Sequence, residues 1–142
     1  MKDIEEGSIQ KIDFKKITKA AACGKDLIIA IAQDVISGEV LVCGFADQSA
    51  LRYTLANKIA AFWSTSRNEL WIKGKTSGSV LHVKEVRVNC EQNSVLYLVE
   101  SNHGACHTKD QRGNFRKGCY YRKIHEDGSL TFVDTMDFPY NP

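Results

Sequence analysis

What most constrains the fold of this chain is a succession of short apolar runs separated by turn signals. Leu27 to Ala32 reads as a buried strand and Val40 to Phe45 as a second, with Ser37-Gly38 as the turn between them. Ile59 to Trp63, Leu70 to Ile72, Val80 to Cys90 and Val95 to Glu100 continue the series. In the longest run, Val86, Val88 and Cys90 share one face while Leu81 and Val83 have the opposite parity, which predicts a bulge or a strong bend. Tyr120 to Ile124 and Leu130 to Val133 flank Asp127-Gly128, a favoured hairpin turn. Two helical stripes interrupt the strands. One is Phe14, Ile17 and Ala21, between Asp13 and Gly24; the other is Ala50, Leu51, Tyr53 and Leu55, capped by Asp47 and ending near Asn57. Residues 1–10 and the segment from Asp137 to Pro142 read as loose or irregular. The expectation is one α+β domain over residues 1–142, a mostly antiparallel, strongly bent sheet with about two helices.

Composition narrows the functional classes. With 142 residues, 43% of them hydrophobic, the chain can bury a real core. A formal charge of +2 is too small to indicate a nucleic-acid partner, and no apolar run approaches the roughly 20 residues of a membrane span. The amino terminus has no continuous apolar segment of the kind a signal peptide carries. Five cysteines, an odd number, argue against a complete disulfide framework and for reduced thiols in a cytoplasmic protein.

Chemistry concentrates between Cys90 and Cys119. Cys106 lies sixteen residues after Cys90, and Cys119 thirteen after that, with His103 and His107 in the intervening loop. None belongs to a Cys-x-x-Cys pair, so spacing supports two readings equally. One is a zinc site with three thiolates and an open fourth position; the other is three buried apolar thiols. His107 follows Cys106 directly, and neighbours on extended backbone point to opposite sides, so proton transfer suits it better than ligation. An exposed loop histidine is the plainer reading of the same residue. Upstream, Phe62 to Arg67 and Leu70 to Gly78 mix aromatics, cations and hydroxyls. Gly74-Lys75-Thr76 is no P-loop, because Glu69 stands where that motif needs glycine. What remains is a loop able to offer Lys73, Lys75, Thr76 and Ser77 to a phosphate, with Trp63 or Trp71 either stacked on a base or in the core.

In order, Ala32-Gln33-Asp34, Ala50 to Leu55, Phe62 to Arg67, Leu70 to Gly78, Ala105-Cys106-His107-Thr108 and Cys119-Tyr120-Tyr121-Arg122 resemble phosphoribosyl-AMP cyclohydrolase. The resemblance spans about residues 28–122, leaving 123–142 as a C-terminal hairpin and tail. It implies an intertwined homodimer with one zinc site per subunit, built across the interface. Cys90 would come from one chain, and Cys106 and Cys119 from the other. It also implies hydrolysis of the N1–C6 bond of the adenine ring of 1-(5-phosphoribosyl)-AMP, giving the formimino-carboxamide ribonucleotide of histidine biosynthesis. His107 matches the motif histidine and would be the acid/base group. The matching segments supply Arg52, Trp63, Ser64, Arg67, Lys73, Lys75, Thr76 and Ser77 as substrate-binding candidates.

The sequence departs from the resemblance in two places. The family carries Asp-Cys-Asp-x-Asp around its first zinc ligand, the aspartates serving magnesium; here Asn89, Glu91 and Asn93 occupy those positions. Magnesium relies on carboxylate oxygen, so its site is expected to be weakened or lost. The gap between the later cysteines is also longer than the family's, through Lys109 to Gly118, an insertion that surface loops tolerate. The alternative implied by the lost carboxylates is a diverged zinc-containing paralogue that binds or regulates through a purine nucleotide, or deaminates another purine.

Overall fold

The hairpin expected over residues 27–45 forms, and the sheet grows outward from it. The computed structural model describes residues 2–75, 78–101 and 103–133. Strands β1 (Ile28–Asp34) and β2 (Val40–Ala46) pair antiparallel. They are followed by α3 (Gln48–Asn57), β3 (Ala61–Ser64), β4 (Glu69–Ile72), β5 (Leu81–Val88) and β6 (Ser94–Ser101). The six strands form one sheet in the order β4-β3-β2-β1-β6-β5. β6 lies parallel to β1, so the sheet is mixed rather than simply antiparallel: after the β3–β5 excursion the chain re-enters beside its first strand. A separate hairpin pairs β7 (Arg122–Ile124) with β8 (Leu130–Phe132) around Gly128, whose φ of 84° suits a residue without Cβ.

The sheet curls into a half-barrel, and local features show why. The register of β5 against β6 shifts between Val83 and Glu85, where the side-chain parity changes in the sequence. That irregularity lets the start of β5 turn back toward β3. There Ala60 N–H donates to the Leu81 carbonyl at 3.0 Å and Val83 N–H to the Lys58 carbonyl at 2.8 Å. Inside the curl, Leu41, Phe62, Leu81, Tyr97 and Val99 are fully buried. The Phe62 ring lies 5.6 Å from both Trp71 and Tyr97, and the Tyr97 hydroxyl is satisfied by the Ala61 carbonyl at 3.1 Å. Helix α3 packs on β3 and starts where Asp47 accepts from Ala50 N–H at 2.9 Å. It ends at Lys58, whose φ is 58°.

Three helices are described, not about two. The additional one, α1 (Lys2–Glu6), has no apolar face and is held by the C-terminal hairpin. The Tyr121 hydroxyl donates to the Glu5 carbonyl at 2.7 Å, Arg122 Nη1 to Gly7 at 2.9 Å, and Leu130 N–H to Ser8 at 2.7 Å. Residues 2–10 are therefore placed rather than loose. The second helix, α2 (Lys16–Ala21), differs from expectation in burial: only Ala20 is covered, while Phe14 is 89% and Ile17 64% exposed. No helix among the described residues is long and apolar enough to cross a membrane. The irregular end expected from Asp137 onward lies outside the described residues.

Candidate active site

The insertion between Cys106 and Cys119 is a side hairpin that leaves and returns at the same place. Ala105 N–H donates to the Lys117 carbonyl at 2.9 Å, Cys106 N–H to Arg116 at 3.0 Å, and Arg116 N–H to Thr108 at 3.0 Å. Its tip is tied by Asp110, whose carboxylate accepts from Arg112 N–H at 2.9 Å and Asn114 N–H at 3.0 Å. Gly104 is required at the base, because a Cβ there would stand 2.2 Å from the Phe115 carbonyl oxygen. The returning strand is fixed to the main sheet where Cys119 N–H donates to Leu41 at 2.7 Å. Beside it, Lys117 Nζ meets Asp34 at 3.0 Å and Glu39 at 3.5 Å. Extra residues thus lengthen the hairpin without separating the two cysteines.

The side chains of Cys106 and Cys119 interact, and the interaction favours a thiolate on Cys106. The Cys119 thiol stabilises the Cys106 sulfur as thiolate and draws it down to about 5, against burial and with help from Thr108. Thr108 Oγ1 lies 2.9 Å from that sulfur. Interaction with Cys106 and its negative charge pushes Cys119 up instead. Cys106 is 3% exposed, whereas Cys119 lies at the surface. Lys73, at the end of β4 and only 5% exposed, completes the cluster. Burial pushes its ammonium below the ordinary lysine value, and the Cys119 and Cys106 sulfurs oppose that shift. Two interacting soft sulfurs, one favoured as thiolate, are a donor pair that suits zinc.

The other candidates are placed separately. His107, exposed beside the buried Cys106, has Nε2 2.8 Å from Glu5 Oε1. Trp63 hydrogen-bonds Asn68 through Nε1 at 3.1 Å, with Lys25 Nζ 4.4 Å from its ring centre. Ser64 Oγ accepts from Arg67 N–H at 3.3 Å, and the Arg67 guanidinium lies 3.5 Å from Glu69. Arg52 is exposed on α3, and Lys75 is exposed in the turn after Lys73. Among the described residues no hydrogen bond or ion pair joins Arg52, Trp63, Ser64 or Arg67 to the cysteine pair. Thr76 and Ser77 lie outside the described residues.

Cys90 stands apart, exposed just beyond the edge strand β5, and no group of three potential metal ligands forms among the described residues. The turn around it is closed by its own amides. Asn89 Oδ1 accepts from the backbone N–H groups of Asn93 and Ser94, each at 2.9 Å. Asn89 Nδ2 donates to Asn93 Oδ1 at 2.6 Å, and Asn93 Nδ2 to Glu91 at 3.1 Å. One carboxylate, already engaged by an amide donor, does not provide the oxygen set magnesium needs.

The family model for phosphoribosyl-AMP cyclohydrolase matches residues 42–121, which include Lys73, Cys90, Cys106, His107 and Cys119. A phosphoribosyl-AMP cyclohydrolase of Methanothermobacter thermautotrophicus is 47% identical over 104 residues, 73% of this chain and 71% of the relative. The protein of that name from Chlorobium phaeovibrioides is 38% identical over 132 residues, 93% of this chain and 92% of the relative. The chain belongs to the phosphoribosyl-AMP cyclohydrolase family. An enzyme of the same name from Archaeoglobus fulgidus is 45% identical over 103 residues, covering 72% of this chain and 90% of the relative.

Against that cyclohydrolase framework, sequence reasoning overlooked three contacts. Thr108 was quoted only as part of a motif, yet its hydroxyl and N–H both face the Cys106 sulfur. Lys25, which links Trp63 to Asp47 at 3.0 Å, lies in a segment with no motif. Glu5 lies on α1, outside the matched span, where the sequence carries no signal of a distant partner.

Proposed function

We propose that this chain is a phosphoribosyl-AMP cyclohydrolase: it adds water at C6 of the N1-ribosylated adenine ring and breaks the N1–C6 bond. The new carbonyl forms at C6, and of water's two protons one goes to N1 and the other to the exocyclic nitrogen on C6, which becomes the carboxamide nitrogen, giving the formimino-carboxamide ribonucleotide of histidine biosynthesis. The observation that carries this reading is the family match over residues 42–121, within which the buried Cys106 favours the thiolate in electrostatic reach of Cys119 and the buried Lys73. Cys106 and Cys119, with a Cys90 thiolate from a second copy, would hold zinc. When bound, zinc supplies a Lewis acid that makes water acidic enough to act as nucleophile near neutral pH. His107 carries the proton between water and N1, and Lys73 offsets negative charge in an enclosed site. Lys75, Thr76 and Ser77 are suited to the substrate's phosphates, and Trp63 to its base.

Two observations support a homodimer. The cysteine pair finds no third ligand among the described residues of its own chain. Cys90 is exposed at a sheet edge next to Val88, itself 58% exposed. Magnesium has no step in this reading, since the Asn89–Asn93 turn does not fit it.

The test is turnover of phosphoribosyl-AMP, read from the absorbance change on ring opening, by zinc-loaded protein in the cytoplasmic pH range. A zinc-loaded protein that binds the nucleotide without opening it would replace this reading with that of a nucleotide-binding paralogue, and ammonia release would indicate deamination. Mixing inactive Cys90→Ala and Cys106→Ala chains tests the shared site. Mixed dimers have one complete ligand set and regain activity; if each chain holds its own zinc, they stay inactive.

A further inference from the structure

His107 needs an oriented ring to move a proton, yet its side chain is 75% exposed on a loop. The contact the structure gives that ring is the carboxylate of Glu5, with Oε1 2.8 Å from Nε2. We propose that Glu5 is a positioning residue for His107: it keeps Nε2 as the N–H donor and leaves Nδ1 as the lone pair facing the reaction. The proposal rests on the role assigned to His107 above.

The placement of Glu5 does not depend on its own side chain. Tyr121 and Arg122, two and three residues beyond Cys119, grip α1 by its main-chain carbonyls at Glu5, Gly7 and Ile4. The strand pairing of Ile9 with Ser129 continues the anchorage. The same segment borders the metal-ligand candidates: a cleft of about 270 Å³ bounded by Ile4, Ile9, Ile12, Tyr120 and Arg122 opens on Cys119. Glu5 is itself 26% exposed, so its carboxylate is less hydrated than a free surface glutamate and its hydrogen bond is correspondingly directional. A carboxylate accepting from one ring nitrogen selects the tautomer and fixes the ring plane, as the orienting groups behind many metal-site and acid/base histidines do.

The experiment is a nitrogen–proton correlation spectrum of zinc-loaded protein labelled with ¹⁵N-histidine, run beside steady-state kinetics for wild type, Glu5→Ala and Glu5→Gln. The wild type is expected to show His107 as a single Nε2–H tautomer, and Glu5→Ala a mixture of tautomers with unchanged zinc content. In Glu5→Ala, kcat should fall about tenfold with KM within about twofold, a fraction of the 10²–10⁴ that a positioned acid/base group contributes. Glu5→Gln, whose amide oxygen still accepts from Nε2–H, should restore the tautomer and most of kcat. A Glu5→Ala protein with the wild-type tautomer and wild-type kcat overturns the proposal. So does a loss confined to KM, zinc content or melting temperature, which would make Glu5 merely structural. If the wild type does not turn over phosphoribosyl-AMP, the functional reading fails, while the spectra still decide whether Glu5 orients the ring.

Discussion

Cys106 and Cys90 belong to one sequence stretch but to two kinds of environment. Cys106 is buried, hydrogen-bonded to Thr108, and interacts electrostatically with a second thiol and a buried ammonium. Cys90 is exposed in a turn whose neighbouring side chains bond to one another. The first environment favours a charged sulfur. The second is locally satisfied and makes no demand on a ligand. The proposed shared zinc site would reconcile them, because a donor that arrives from another copy must be at a surface before assembly.

The sharpest break between the two is expected from truncation. Cys106→Ala should lose zinc and at least about a thousandfold in activity, since the Lewis acid goes with its ligand. It should also destabilise the single chain, because Thr108 loses its partner in the interior. Cys90→Ala should lose zinc and activity too, but its unfolding curve without metal should overlay the wild type's. Metal analysis and denaturation of both variants check this; equal destabilisation by the two would erase the contrast.

Lys73 gives the next largest effect and separates catalysis from folding. Burial costs the Lys73 ammonium more than the two sulfurs return, since its value stays below the ordinary one, so an apolar side chain of similar length removes a net penalty. Lys73→Met should therefore keep or raise the melting temperature while kcat/KM drops about 10- to 100-fold through loss of a preorganised charge. A fall in stability without a kinetic loss would make Lys73 a structural partner of the thiols and nothing more.

Legibility from sequence followed the range of the determinants. Helix α3 was readable at both ends because Asp47 and the turn after Asn57 act within a few residues of themselves. The bend in β5 was readable because parity is a property of adjacent side chains. Helix α1 was not, since its partners Tyr121, Arg122 and Leu130 lie more than a hundred residues away and no apolar period marks it. The approach of Lys73 to the cysteine pair was equally hidden, because it depends on the curl of the whole sheet. Asp47 offers a smaller, local test. Burial acts to raise its carboxyl, but Ala50 N–H, the Ser49 hydroxyl and Lys25 outweigh burial and hold it below the ordinary aspartate value. A folded value below the unfolded one gives stability that is complete above about pH 4 and lost as pH falls through the folded value. Asp47→Ala should cost about 1–2 kcal/mol at pH 7, and progressively less on acidification, by urea unfolding at each pH.

The smallest expected effect concerns the turn around Cys90, where magnesium should do almost nothing. Magnesium at millimolar concentration should change kcat of the zinc-loaded wild type by less than about twofold, because Asn89 and Asn93 offer amides where the hard cation needs carboxylates. Their oxygens are also committed: Asn89 Oδ1 already accepts from two backbone N–H groups, and Asn93 Oδ1 from Asn89 Nδ2. The double variant Asn89→Asp, Asn93→Asp keeps the backbone caps, since aspartate accepts the same N–H bonds, but loses both amide donors and adds two carboxylates to that of Glu91, three in all. Mutual repulsion should make that turn bind magnesium, with a magnesium-dependent rise in melting temperature that the wild type lacks. A strong magnesium requirement in the wild type would mean that the cation is held elsewhere, and the contrast between the two ends of the Cys90–Cys119 stretch would then describe folding alone.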